Sequence, residues 1–185
     1  MSEWFETLPG LWTGLWDCLA DGVARRDAPA RHVTFATVGL DGGPGARTVV
    51  LRGADRGDSV VEVHTDLFSA KVAELRRDAR AAILIWDGDR QLQMRLSVTV
   101  TILSGDAVAA IWARVPDPSR QAYGVTPPPG TPIPDALAYD KRADGATFAV
   151  LRCAIDRVDL VHLGAAHRRA RFDRADGWAG QWCVP

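Results

Sequence analysis

Arg47, Arg52, Thr65, Ser69 and Lys71 are the residues of this chain whose types and spacing could do chemistry together. They fall on two strand-like segments and the start of a helix. Arg47-Thr48-Val49-Val50-Leu51-Arg52 is β-branched with an arginine at each end, and Val61 to Lys71 reads as a strand that runs into a helix opening at Ser69. Cations and hydroxyls gathered at a helix N-terminus suit a phosphate dianion, which asks for N–H and O–H donors, positive charge and the favourable end of the helix dipole. A solvated charged surface would have the same composition, and spacing alone does not choose between the two. Arg47 and Arg52 would face opposite sides of a flat strand. Either the strand twists or bulges, or only one arginine reaches the anion while the other works at its end.

The elements that must position these residues follow from periodicity. Leu11, Leu15, Leu19 and Val23 recur every four residues with Trp12 and Trp16 alongside, which predicts an amphipathic helix packed on the main body or covering a partner subunit. From Arg31 the period changes to two. Strands are expected over 32–38 and 46–52 around a glycine-rich turn, then over 59–64, with a short helix over 69–77. Ala81 to Trp86 is apolar on both faces, as a fully covered strand would be. A long strand from Gln91 to Leu103 carries Gln91, Gln93 and Arg95 on one face and Leu92, Met94 and Leu96 on the other. A helix is expected over 106–114, a proline-rich loop over 115–135, and last strands near 147–163 and 178–183.

Composition narrows the function classes. At 185 residues with a net charge of −1, the chain can bury a real core and presents no general nucleic-acid surface. No apolar run approaches the roughly 20 residues of a membrane span. The acidic start lacks the basic region of a signal peptide, and the three cysteines are odd in number and widely spaced, so reduced thiols in a cytoplasmic protein are expected. Four scattered histidines carry no zinc-ligand spacing, and no metal site is expected.

Two further stretches, Arg90-Gln91-Leu92-Gln93-Met94-Arg95-Leu96 and His162-Leu163-Gly164 leading to Arg168-Arg169-Ala170-Arg171-Phe172, complete a co-linear set with the first cluster. Over residues 31–185 this set resembles the pyridoxamine 5′-phosphate oxidase family, with its Arg-Gln-Val-x-Ile strand and its Trp-x-Gly…Arg-x-x-Arg-Phe tail. The resemblance implies a mainly β (α+β) fold, a six-stranded FMN-binding split β-barrel with flanking short helices. It would form a single domain over 1–185, with 1–30 as a helical extension. FMN is the implied cofactor, contacted by Arg47, Thr48, Val49, Val50, Leu51 and Arg52, by His64, Thr65, Ser69 and Lys71, and by Gln93, His162 and Arg171. Gln91 competes with Gln93 for the flavin edge. Arg52 and Arg168 are the implied substrate contacts.

Departures from the family pattern bear on function. Arg52 stands for a lysine, His64 for an aromatic residue, Ala70 for an arginine and His162 for a tryptophan. The tyrosine and arginine that grip the substrate phosphate have no counterparts around Ile111 to Pro118, and only Ser119 is a loose match. The expectation is an FMN-dependent oxidoreductase of unknown substrate, a homodimer with flavin sites at the interface, taking a small molecule and binding neither nucleic acid nor membrane. Alternatives are a flavin-storing protein, a genuine pyridoxamine 5′-phosphate oxidase, or a barrel that has exchanged FMN for another ligand such as haem, with His162 as an axial ligand.

Overall fold

Six antiparallel strands close on themselves in the computed structural model, which describes residues 3–185. In chain order α1 (Leu8–Ala24) precedes β1 (His32–Val38), β2 (Pro44–Asp55), β3 (Val60–Asp66), α2 (Ala70–Arg77), β4 (Arg80–Asp87) and β5 (Leu92–Ser104). Two short helices, α3 (Ala109–Arg114) and α4 (Asp117–Arg120), lead to β6 (Val125–Thr126), β7 (Asp140–Lys141), β8 (Phe148–His162), β9 (Arg168–Asp173) and β10 (Gln181–Cys183). The neighbours run β8-β3-β2-β1-β4-β5, and β5 pairs back onto β8 from Leu92 opposite His162 to Ser104 opposite Ala149. Closure leaves no free edge within the barrel. β9 and β10 continue the sheet beyond β8.

The period-two reading holds where the strands were expected. On β5, Leu92, Met94, Leu96, Val98 and Val100 are buried while Gln93, Arg95, Ser97 and Thr99 face out. α1 begins at Thr7, whose hydroxyl accepts from the Gly10 amide at 3.1 Å, with Pro9 in the first turn. Leu11, Leu15 and Leu19 join the barrel core, each contributing about 1.5–3 kcal/mol by burial. Trp12 is spent within the chain, its ring 5.0 Å from both Phe172 and Trp178. Arg31 ties the end of α1 to the barrel by donating to the carbonyls of Val23 (3.1 Å) and Leu51 (3.5 Å).

Three segments differ from expectation. Ala81–Trp86 lies in a strand whose outer face is open: Leu84 is 40% and Trp86 50% exposed while Ile83 and Ile85 are buried. The arginine-rich stretch 168–173 is a strand, because Ala170 and Phe172 alternate into the core and the charged residues between them turn outward. The loop over 115–135 carries α4 and β6, which pairs with β7 beyond it, rather than being extended throughout.

Gly22 lets α1 approach closely: a Cβ there would sit 2.6 Å from the Ala30 carbonyl. Gly22→Ala is expected to destabilise by about 1–3 kcal/mol through overpacking, less up to ~1 kcal/mol regained in helix propensity. A lower urea midpoint with unchanged slope checks this, and an equal or higher midpoint would contradict it.

Candidate functional site

A register shift on β2 shapes the site. Leu51 pairs with Val63 and Gly53 with Glu62, so Arg52 is the extra residue of a β-bulge and is re-aimed relative to its neighbours. Thr48, Val50 and Arg52 then line a cavity of about 370 Å³ on the outer side of β2. Val49 borders it from the core side, and Leu51 is fully buried in the core. Leu51 therefore offers only its backbone, whose carbonyl already receives Arg31. β3 contributes His64 and Thr65, and the first turn of α2 contributes Ser69 and Lys71. Tyr123 and Pro129 of the proline-rich segment close the far side. That segment is held there by Asp66, whose carboxylate accepts from the amides of Phe68 (2.8 Å) and Gly124 (3.0 Å).

The charge balance in this cavity is unequal. Lys71 Nζ donates to Thr65 Oγ1 at 2.9 Å, and Thr65 Oγ1 lies 3.1 Å from Ser69 Oγ. Among the described residues no carboxylate forms an ion pair with Lys71 or Arg52, whereas Arg47 is paired with Glu74 at 2.8 Å and also donates to Thr37. Burial pushes the Lys71 amine below its ordinary range, Arg47 adds to the fall, and Asp66 and Glu74 oppose it. His64 is lowered to about 4, first by burial and then by Arg52, so its imidazole is neutral at physiological pH. Ser69 is the N-cap of α2 without using its side chain as a cap, and the amides of Ala70 and Lys71 find no acceptor among the described residues. A half-buried ammonium, an unpaired guanidinium, two hydroxyls and two open amides make a cradle of the donor types that a phosphate dianion asks for.

The remaining candidates lie elsewhere. Val150 sits opposite His64, and His162 is twelve residues further along β8, roughly 40 Å of strand at about 3.3 Å per residue. One mononucleotide does not span that separation, so His162 and the phosphate cradle of one chain do not share a ligand. His162 is 5% exposed, with its ring stacked on Phe5 (4.0 Å, 9° between planes) and Trp4 against its edge. Among the described residues its Nδ1 has no partner. Arg168 donates to Glu6 at 3.1 Å and lies 5.0 Å over the Phe5 ring. Gln91, in the turn before β5 with φ +50°, borders the same 520 Å³ cavity as His162 and Arg168. Gln93 instead faces out from β5 between Trp86 and Val161. Arg171 pairs with Asp173 at 3.1 Å on the opposite face of β9 from Arg168, so those two arginines do not converge. Sequence reasoning missed Glu74, Tyr123 and Phe5, which reach their places through tertiary contacts. Only Glu74, one turn after Lys71 on the same helix, carried a local signal.

Comparison with known proteins decides what this arrangement belongs to. The family model described as "Pyridoxamine 5′-phosphate oxidase, FMN-binding domain" matches residues 13–104. The pyridoxine/pyridoxamine 5′-phosphate oxidase of Xanthomonas campestris is 37% identical over 159 residues, covering 84% of this chain and 70% of that protein. This chain belongs to the pyridoxamine 5′-phosphate oxidase family. The pyridoxine/pyridoxamine 5′-phosphate oxidase 2 of Arabidopsis thaliana is 28% identical over 185 residues, covering 91% of this chain and 92% of that one. Among solved structures, a pyridoxamine 5′-phosphate oxidase-related FMN-binding protein of Nostoc punctiforme superposes with TM-score 0.77 at 25% identity, covering 94% and 97% of the two chains. PhzG from Burkholderia lata, solved with tetrahydrophenazine-1-carboxylic acid, shares the fold at TM-score 0.72 and 20% identity, with 94% of this chain and 91% of that chain covered. FMN is thus the cofactor of this pyridoxamine 5′-phosphate oxidase family member, and the cradle around Lys71 has the donors that its phosphate requires.

The Lys71 shift sets a pH dependence. A bound dianion favours the charged amine, so affinity is present below the depressed Lys71 pKa and is lost as pH rises through it. On the acid side it weakens below about pH 6, where the phosphate takes up its second proton. Titrations of FMN fluorescence from pH 5 to 10 are expected to show both limbs. Lys71→Arg should abolish the alkaline limb, because a guanidinium stays charged there. An alkaline limb that persists in Lys71→Arg would assign it to another group.

Proposed function

We propose that this protein is an FMN-dependent oxidoreductase acting on a small molecule, with each flavin site assembled between two copies of the chain. The observation that carries the reading is the pair of cations, Lys71 and Arg52, that face one cavity with no carboxylate partner among the described residues. When bound, FMN supplies reversible electron transfer at its isoalloxazine ring. The chain's own part is to bind and orient. Lys71, Ser69, Thr65 and the open amides of α2 hold the phosphate, with Arg47 beside them kept in place by Glu74. Thr48 and Val50 form the wall along which the rest of the nucleotide lies, and Tyr123 and Pro129 shield it from water. Neutral His64 offers a hydrogen bond without adding charge.

Assembly from two copies is supported by two features. The cradle and the His162–Arg168 cavity lie at opposite ends of β8, so a second copy is the source of residues for the far side of each flavin. The outer face of β1 and β4 exposes Val38, Leu84 and Trp86, an apolar surface suited to burial against a like surface. The unpaired thiols Cys18, Cys153 and Cys183 suit the reducing cytoplasm, where we place the protein. No helix among the described residues is long and apolar enough to cross a membrane. A haem bound through His162 is not favoured, because Phe5 and Trp4 enclose that ring.

Lys71→Ala is expected to weaken FMN binding by about 10–100-fold, the value of a charge-assisted contact of about 1.5–3 kcal/mol. Desalting followed by visible absorption reads this directly, and a flavin retained equally well by the variant would refute the phosphate assignment. Trp86→Glu is expected to give a monomer by size-exclusion chromatography that also loses flavin. A Trp86→Glu dimer, or a monomer with full affinity, would contradict the shared site. Catalysis is tested by mixing the loaded protein with pyridoxamine 5′-phosphate or NADPH and then oxygen: bound flavin is expected to be reduced and reoxidised repeatedly. Flavin that stays oxidised with both would favour storage.

A further inference from the structure

The 520 Å³ cavity at the far end of β8 from the cofactor cradle is lined on one side by Gln91, His162 and Arg168. Its other wall comes from the single turn Trp4–Glu6 that precedes α1. Trp4 anchors this turn on α1: a Cβ at Gly14 would lie 3.0 Å from its ring, and one at Gly10 would run into its carbonyl. Phe5 and Glu6 are held less firmly. The Phe5 ring stacks on His162 at 4.0 Å and has the Arg168 guanidinium 5.0 Å over it. Glu6 accepts from Arg168 at 3.1 Å with both side chains partly exposed, a setting in which an ion pair contributes little. Among the described residues no backbone hydrogen bond ties Trp4–Glu6 to a strand. His162 beneath this cover is 5% exposed, and its Nδ1 finds no partner among the described residues. The covered arrangement thus leaves a buried polar atom unsatisfied, which costs more than an ordinary hydrogen bond contributes.

We propose that Trp4–Glu6 is an autoinhibitory cover over this cavity, opened by a planar heteroaromatic ring that takes the place of Phe5 against His162. In the covered state the chain occupies its own recognition groups, with Phe5 on His162 and Glu6 on Arg168. Lifting the turn exchanges one stacking contact for another, frees the Arg168 donors for acceptors at the edge of the ring and admits a partner to Nδ1. Gln91 stands beside them, its carbonyl accepting from the Leu163 amide at 2.8 Å and its side-chain amide turned to the same cavity. This deepens the flavoprotein reading above and rests on it for the identity of the ring, the isoalloxazine of the flavin whose phosphate the other copy holds. Apparent affinity for the ring is lowered by the fraction of molecules whose cover is closed.

The test compares full-length wild type, Phe5→Ala and Glu6→Gln, with FMN retention after desalting recorded first as a separate check on the cofactor. Lumiflavin, which has the isoalloxazine ring and no phosphate, is then titrated into flavin-free protein by fluorescence quenching. Reaction of His162 with diethyl pyrocarbonate is followed by peptide mass spectrometry with and without lumiflavin. Phe5→Ala is expected to bind lumiflavin about fivefold tighter than wild type, the value of one aromatic stacking contact, and Glu6→Gln about threefold tighter. His162 should react faster in Phe5→Ala than in wild type, and lumiflavin should slow it again. Lumiflavin bound no tighter by Phe5→Ala, or failing to protect His162 there, overturns the inference, and FMN retained in the same experiment leaves the cofactor reading standing. Glu6 is exposed, so Glu6→Gln carries the test if Phe5→Ala does not fold, and an affinity no higher than that of wild type then overturns the inference. FMN lost from wild type while lumiflavin still protects His162 in Phe5→Ala would support the cover and refute the phosphate cradle instead.

Discussion

The site is organised around a positive charge, held partly out of water, that no carboxylate among the described residues pairs with. Lys71 is half-buried and its partner is the Thr65 hydroxyl, which does not neutralise it. A carboxylate was available: Glu74 lies one turn away on the same helix but is committed to Arg47 and accepts from Thr37. Had Glu74 paired with Lys71 instead, the ammonium beside the open amides of α2 would be neutralised, leaving Arg47 and Arg52 as the cations of the cavity. The Arg47–Glu74 pair therefore keeps a second cation in place while sparing the first. Leaving Ser69 unused as a side-chain cap has the same sense, since the first amides of α2 remain open to a ligand.

Holding uncompensated charge requires a rigid frame, and barrel closure supplies it. β2 and β3 are paired on both sides, so the bulge at Arg52 is a fixed kink within a continuous ladder. Asp66 then ties the β3–α2 turn to the segment carrying Tyr123, so one carboxylate positions both the opening of α2 and the wall facing it. Away from the cradle, Asp159 is held by Arg95 and Arg169, and Asp173 by Arg157 and Arg171. Asp159 and Asp173 sit below the usual carboxylate range, Asp159 because its arginine bonds outweigh the opposing effect of burial, and Asp173 chiefly through Arg157. These pairs knit β5, β8 and β9 into one surface and account for Arg171, which serves the sheet rather than the cradle of its own chain.

How much of this was legible in the sequence depends on how far each contact reaches along the chain. The barrel strands and α1 were legible because period two and Leu11, Leu15 and Leu19 are local patterns set by burial. The cradle was legible because its residues come from consecutive elements, so order along the chain nearly equals order in space. β9 was obscured because arginines dominate it and only Ala170 and Phe172 mark the inward face. Gln91 and Gln93 looked equivalent as members of one alternating strand. The strand begins only at Leu92, and Gln91 belongs to a turn with positive φ, which no alternation rule reports. Phe5 stacked on His162 joins the two ends of the chain, and nothing local announces such a contact.

On the two-copy reading, the open face of β4 and the unfilled cradle have a common explanation. Apolar residues such as Leu84 and Trp86 are costly to leave in water, and so are two cations that repel each other across a cavity. A ligand that bridges the cradle of one copy and the His162 end of the other would relieve both at once. Association and cofactor affinity must then strengthen each other by the same factor, because linkage between two binding equilibria is reciprocal. Family barrels with a paired, neutral cradle would lose that coupling even if their outer faces still associated. On that reading the uncompensated Lys71 would also be a determinant of assembly, acting through the anion it demands.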